Sequence, residues 1–353
     1  MKEIKSMGIA FTYAGCIIGA GFLSGQELWQ FFGSYGKWGI VGFLLAMVLQ
    51  IALCGVILIY AKRSQIKEFD VLIAKAKPVR WFFVFSEAFF IFGVLMVMFA
   101  GAGPLIETVF GLNELVGSII FAIIVTIATF GGFEKMVKIL RMTIPFLTVV
   151  TIIISVLAFN KYGFPNIANS QVTGKTALMP NFVVALILFA VHNIFCVLGV
   201  LVPLGNSMDK DSSAITGMTL SSIVCMLITF SVLLPIYSAP EFASYDLPML
   251  ELTKTISKPL FFIYGILLLT GMFGSALSHF IAIVDFSAKK SQAFNSKKNL
   301  IITITAIVAF LLSRFGFSEL ISVLYPLSGY IGIVALTLII INFIKFNKKN
   351  KKQ

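Results

Sequence analysis

Apolar residues fill the chain in long stretches separated by short polar or basic segments. Stretches long enough to span a bilayer, about 17–25 residues, fall at 7–33, 37–61, 80–103, 115–131, 142–160, 181–205, 213–237, 258–286, 299–313 and 319–343, the ninth being short. They predict an all-α polytopic membrane protein with ten transmembrane helices. Two of the runs carry small or polar residues at mid-depth: YAGCIIGAGFLSGQE at 13–27 in the first, and LFAVHNIFCVLG at 188–199 in the sixth.

The charges agree with this layout. Residues are 59% hydrophobic and 12% charged, well below the charge of a soluble protein. With a cytoplasmic N-terminus, 21 of the 27 Lys and Arg residues lie on the cytoplasmic side and 6 outside. Shifting the span count by one would scramble that partition. The net charge of +12 then reads as a positive-inside bias at the lipid surface, not a nucleic-acid face. The expected location is the cell (inner) membrane, multi-pass, with both termini cytoplasmic and the lipid bilayer as partner. Cys16, Cys54, Cys196 and Cys225 show no paired spacing, so neither a disulfide framework nor a transition-metal site is expected. Tyr13 in YAGC and the short apolar stretch before it argue against a cleaved leader.

FFIFGVL at 89–95 resembles FFIYGIL at 261–267, an offset of 172. That offset maps Gly19, Ala20 and Gly21 onto Val191, His192 and Asn193. Five spans per half is odd, so the second copy is inverted, and residues 1–160 and 161–353 are expected to form two inverted repeats. Corresponding interrupted spans in such halves point to a secondary-transporter site.

The glycines of the first span carry two readings. Gly15/Gly19 and Gly21/Gly25 have the spacing that lets helices pack closely. A break at 19–21 would instead bare backbone amides and carbonyls, tolerable in hydrocarbon only where they line a cavity or ligand. The polar pair His192–Asn193 tips the balance to the break, with Phe22 and Phe189 as candidate substrate contacts. Glu27 reads rather more as a cap near the interface than as a vestibule gate. Glu87 lies inside the third span, where an ionisable residue is a functional candidate unless a loop cation such as Arg80 pairs with it. His192 and His279 both fall in spans without metal-ligand company, which suits proton linkage or a polar contact.

GCIIGAG at 15–21, with ten spans in two inverted halves, resembles the first-span motif of the amino acid–polyamine–organocation superfamily, and the chain looks like a YkvI-like amino-acid permease with a LeuT-like fold. The resemblance implies that Gly19, Ala20 and Gly21, with Phe22, Phe189, Val191, His192 and Asn193, surround a small amino acid or similar zwitterion. It also implies a sodium ion, the only cofactor-like species expected, held by Gly15, Ile18, Ser275 and Ser278. His279 replaces the usual second hydroxyl of the eighth span, and a shifted register would use Gly271 and Ser275 instead. Proton coupling through Glu87 or His279 therefore stays open behind sodium. The function expected is secondary active transport by alternating access, with a transporter-like nutrient receptor, of the spore-germination type, as the alternative. An enzyme is not expected, since Ser278 and His279 are helix neighbours that point about 100° apart. No P-loop is present.

Overall fold

The computed structural model describes residues 4–130, 133–165, 167, 176–290 and 298–350, with the side chains at 20, 133–145, 285–290 and 298 outside the description. The predicted first run forms three short helices, α1 (Ser6–Ile17), α2 (Ala20–Ser24) and α3 (Gln26–Phe31). Then follow α4 (Lys37–Ser64), α5 (Phe69–Ile73), α6 (Lys77–Phe110), α7 (Glu114–Thr129) and α8 (Phe133–Tyr162). The second half comprises α9 (Phe182–Phe195), α10 (Leu198–Asn206), α11 (Ser212–Ser238), α12 (Pro248–Ile256), α13 (Lys258–Lys290), α14 (Lys298–Ser313) and α15 (Phe317–Asn350). Each apolar run of the sequence thus falls on helix.

Five helices, α4, α6, α11, α13 and α15, are long and apolar enough to cross a membrane alone; α9 and α10 make a sixth span bent by 61°. α1, α7, α14 and the 146–162 part of α8 are apolar but shorter. Large apolar side chains stay exposed in mid-helix, among them Ile123, Ile127, Val149, Val156, Ile307 and Leu311. Such faces suit lipid, while the hydrogen-bonded helical backbone meets the demand of an anhydrous surrounding. The chain is a multi-pass membrane protein.

Small residues set the helix spacing. A Cβ on Gly205 of α10 would lie 2.6 Å from Leu58 O of α4, and one on Gly329 of α15 would lie 2.8 Å from Leu188 O of α9. Backbone therefore packs on backbone, as small residues allow in membrane bundles, and both halves of the bent span are fixed against long helices. α1 lies along α11, and α13 packs on α6 and α8.

Contacts between distant segments tie the helix ends together. At one end Ile4 N donates to Ser207 O (2.8 Å), Asp209 N donates to Ile4 O (3.2 Å), and Arg63 pairs with Asp211 at 2.7 Å. The Asn342 amide joins this end by donating to Ile73 O (2.9 Å). At the other end the Tyr35 hydroxyl donates to Met179 O and Arg314 meets Glu114 at 3.3 Å. The basic side chains expected at 135–141 and 289–298 lie outside the described residues.

Candidate functional site

The first span breaks where the sequence suggested. α1 ends at Ile17, Ile18 leaves helical geometry (φ −77°, ψ 84°), and Gly19 is extended (φ −103°, ψ −171°). Gly19 N–H donates to Ile17 O (2.9 Å), whereas in a continuous helix it would donate to Gly15 O. The Gly15 carbonyl is thereby released from its usual partner. The dihedrals at Gly19 are open to any residue; the left-handed glycine is Gly25 (φ 89°), between α2 and α3. What glycine supplies at 19 and 21 is space. A Cβ on Gly19 would stand 3.8 Å from Ser275 Oγ, and one on Gly21 would stand 3.0 Å from Glu27 Oε2 and 3.2 Å from Ile321 Cδ1. The Ala20 side chain lies outside the described residues.

The sixth span breaks later than the repeat offset indicated. Val191, His192 and Asn193 stay within α9, and the bend falls at Cys196–Val197. Val197 N–H donates to Ile194 O (3.2 Å) in place of Asn193 O, so Asn193 stands to its break as Gly15 does to the first. The physical cause is tertiary. Gly199 N–H, which would otherwise continue the helix to Phe195 O, donates to Glu87 Oε1 at 3.3 Å. The third-span carboxylate therefore sits at the start of α10, where free amides and the helix dipole favour negative charge. Arg80, the partner considered for Glu87, is engaged by Asp70 (2.8 Å) and Glu68 (3.3 Å) instead.

The remaining candidates divide by face. Phe189 is fully buried and central to an aromatic cluster, with ring centroids 6.5 Å from Phe22, 5.4 Å from Phe31, 4.8 Å from Phe32 and 6.3 Å from Phe43. Val191 packs against Gly332 of α15, where an added Cβ would lie 2.6 Å from Val191 Cγ1. His192 stacks on Tyr325 (4.2 Å), its Nδ1 bonds the Ser328 hydroxyl, and Cys196 Sγ lies 3.6 Å away. The Asn193 amide donates to Phe189 O (2.9 Å). On α13, the Ser278 hydroxyl donates to Gly274 O (2.6 Å), and His279 Nδ1 donates to Ser275 O (2.7 Å). A carbonyl only accepts, so Nδ1 carries that proton and Nε2 faces away from the bond.

One feature was misread from sequence and two were not singled out. Glu27 is no interface cap: it is 4% exposed, its carboxylate folded back over Gly21. Gln26 and Gln30, one turn apart on α3, both reach Ser318 at the start of α15. Tyr325 and Ser328, one turn apart on α15, hold His192. The i, i+4 spacing of Gln26 and Gln30 inside an apolar run is a signal that could have marked the first pair.

Beside Ser318, Asp246 lies in the loop after α11. Burial pushes its carboxyl above the ordinary carboxylate range, the Glu319 charge adds to the rise, and Ser318 N–H pulls it back. A raised folded value means that stability is lost as pH rises through it and is fully present below the unfolded value. Asp246→Asn is therefore expected to raise the melting temperature by a few degrees at most at neutral pH. The gain should vanish by about pH 4. A melting series from pH 4 to 8 on purified protein checks this; an unchanged difference across the series would contradict it.

No established protein-family profile matches the chain. It is 25% identical over 332 residues, 92% of each chain, to the uncharacterized membrane protein YkvI of Bacillus subtilis (strain 168). It is 22% identical over 336 residues to the uncharacterized protein YyaD of the same bacterium, covering 93% of this chain and 94% of YyaD. Among solved structures it resembles MhsT in complex with L-phenylalanine (TM-score 0.62, 17% identity, 94% of this chain and 89% of MhsT). It also resembles Mhp1, a nucleobase-cation-symport-1 family transporter (TM-score 0.60, 13% identity, 92% and 75%). A third likeness is to the Eremococcus coleocola manganese transporter (TM-score 0.55, 15% identity, 95% and 78%). The chain thus has the LeuT-type fold of these transporters and is similar to YkvI over nearly its whole length.

Proposed function

We propose that the chain is a secondary active transporter that moves a small amino acid or similar amine-bearing zwitterion across the cell membrane by alternating access, coupled to Na⁺. Residues 1–160 and 161–353 act as its inverted halves, with both termini cytoplasmic. One observation carries this reading: the first span comes apart beside Ser275, with the Gly15 carbonyl freed by the turn of Gly19 N–H to Ile17 O. Backbone carbonyls freed at mid-membrane depth suit a cation or an ammonium.

The packing also bears on which α13 hydroxyls serve. A Cβ on Gly271 would meet Leu23 Cδ1 at 3.7 Å, and a Cβ on Gly19 would meet Ser275 Oγ at 3.8 Å. The two segments therefore run antiparallel past the break, with Ser275 beside Gly19. This supports Ser275, common to both registers, as the α13 group at the break; the proposed set is Gly15, Ile18, Ser275 and Ser278. Ser278 donates its proton within its own helix, which leaves its oxygen lone pairs for a cation. Gly19, Ala20, Gly21 and Asn193 form the substrate side of the same break. Phe22 and Phe189 close it with an aromatic wall, and Val191 and His192 hold α9 to α15 behind it.

The test is uptake into proteoliposomes holding the purified full-length chain, with labelled amino acids under an inward Na⁺ gradient, then an inward H⁺ gradient. Accumulation under Na⁺, reduced more than tenfold by Ser278→Ala, is the expected result. Accumulation under H⁺ alone would move coupling to Glu87 or His279. Ligand binding without accumulation or exchange under either gradient would replace the transporter with a nutrient receptor.

A further inference from the structure

We infer that the solute taken by this site carries a net positive charge, an amine whose ammonium is held by Glu27. This rests on the reading of the same break as a solute site and replaces the net-neutral zwitterion of that reading with a cation. Glu27 is 4% exposed, yet none of the ion pairs among the described residues includes it. Its Oε2 stands over Gly21 at the distance given above, within the stretch where a zwitterion's carboxylate was expected. Two carboxylates there would repel, and burial makes the repulsion costlier.

The side chains beside it lack donors in the same way. Gln26 and Gln30 are 5% and 7% exposed, and the Oε1 atom of each is buried without a hydrogen-bond partner. The Gln30 orientation is fixed, because its Nε2 donates to Ser318 O at 3.1 Å, a carbonyl that only accepts; Gln26 meets the Ser318 hydroxyl. The seam between α3 and α15 therefore offers the Glu27 carboxylate and the Gln30 amide oxygen, with the Gln26 amide beside them, and among the described residues no hydrogen-bond donor is directed at either acceptor. A buried acceptor without a donor is costly. An ammonium brings three N–H donors and the opposite charge to this set, which a carboxylate-bearing zwitterion satisfies only at one end. At the mouth of the seam stand Asp246 and Glu319, so the approach is acidic as well.

Binding and transport are read separately, on the purified full-length protein. Equilibrium binding is measured with labelled putrescine, lysine, alanine and phenylalanine. Uptake of each into proteoliposomes is then driven by an inside-negative K⁺ diffusion potential without other ion gradients. We expect putrescine or lysine to bind at least tenfold tighter than alanine and phenylalanine. Glu27→Gln should weaken that binding at least tenfold, Glu27→Asp should keep it within a few-fold, and both variants should elute as wild type on size exclusion. Should Glu27→Gln not fold, Gln30→Leu is expected to weaken putrescine binding by removing one acceptor. Equal binding of alanine or phenylalanine, no binding of any of the four probes, or unaltered binding in Glu27→Gln would overturn the inference. Cation binding that depends on Glu27 but is never followed by uptake would sustain the inference and sink the transporter. Accumulation of zwitterions by Glu27→Gln at the wild-type rate would do the reverse.

Discussion

Gly39→Ala is expected to yield little or no folded protein. A Cβ at this position would stand 1.8 Å from Phe32 O and 2.6 Å from Phe32 C. Those atoms are backbone, so no rotamer change can relieve the clash; α4 must separate from the end of the first span. Phe32 cannot follow freely, because it is fully buried and its ring lies 4.8 Å from Phe189 and 5.2 Å from Phe43. Overpacking that displaces backbone costs about 3 kcal/mol or more. Gly42→Ala, one turn along the same helix, is the control. Its Cβ would meet Phe182 Cδ2 at 3.5 Å and Phe182 O at 3.6 Å, which is ordinary contact. Size exclusion and melting of the two variants decide the matter. A monodisperse Gly39→Ala melting within a degree or two of wild type would show that α4 and Phe32 are not held as described.

The second large effect concerns Glu87. Replacing it with leucine leaves Gly199 N–H without its acceptor at the start of α10. Hydrogen bonds to charged groups are worth about 1.5–3 kcal/mol, so the bent geometry of the sixth span should lose roughly tenfold or more in population. If substrate binding requires that bend, uptake by Glu87→Leu falls by a similar factor. Glu87→Gln keeps an acceptor of nearly the same shape and should bind solute as wild type does. In a proton-coupled carrier, however, it would lose accumulation under an H⁺ gradient while retaining exchange of labelled for unlabelled solute. Uptake by Glu87→Leu at the wild-type rate would show that the contact to Gly199 has no part in transport.

Much of this was legible from residues alone, and the reasons differ by feature. The spans follow from the bilayer: it demands long apolar runs with internally bonded backbone, and both requirements are written in one dimension. The partition of basic residues is likewise a property of loop sequence, whereas the contacts that gather Ile4, Arg63, Asp211 and Asn342 at one end exist only in the packed bundle. GAG at 19–21 allowed either close packing or a break, and the polar pair His192–Asn193 in the sixth span tipped the reading to the break.

The tertiary structure decided the rest. The repeat offset placed the second break at Val191–Asn193, but helix geometry there is intact. The competition that ends α9 comes from Glu87, 112 residues away in sequence, and no local pattern carries that information. Glu27 looked like an interface cap because helical distance alone put it two turns beyond the glycines. The left-handed turn at Gly25 reverses that count and folds its carboxylate back over Gly21. Gln26 and Gln30 acquired meaning only when Ser318, nearly three hundred residues on, took their amide nitrogens and left the oxygens bare. Apolar length and charge along the chain therefore determined that the protein crosses the membrane and where its first span is weak. Which carbonyls, carboxylates and amides face the resulting break depended on contacts between distant helices, since side-chain direction and hydrogen-bond competition exist only once those helices are packed.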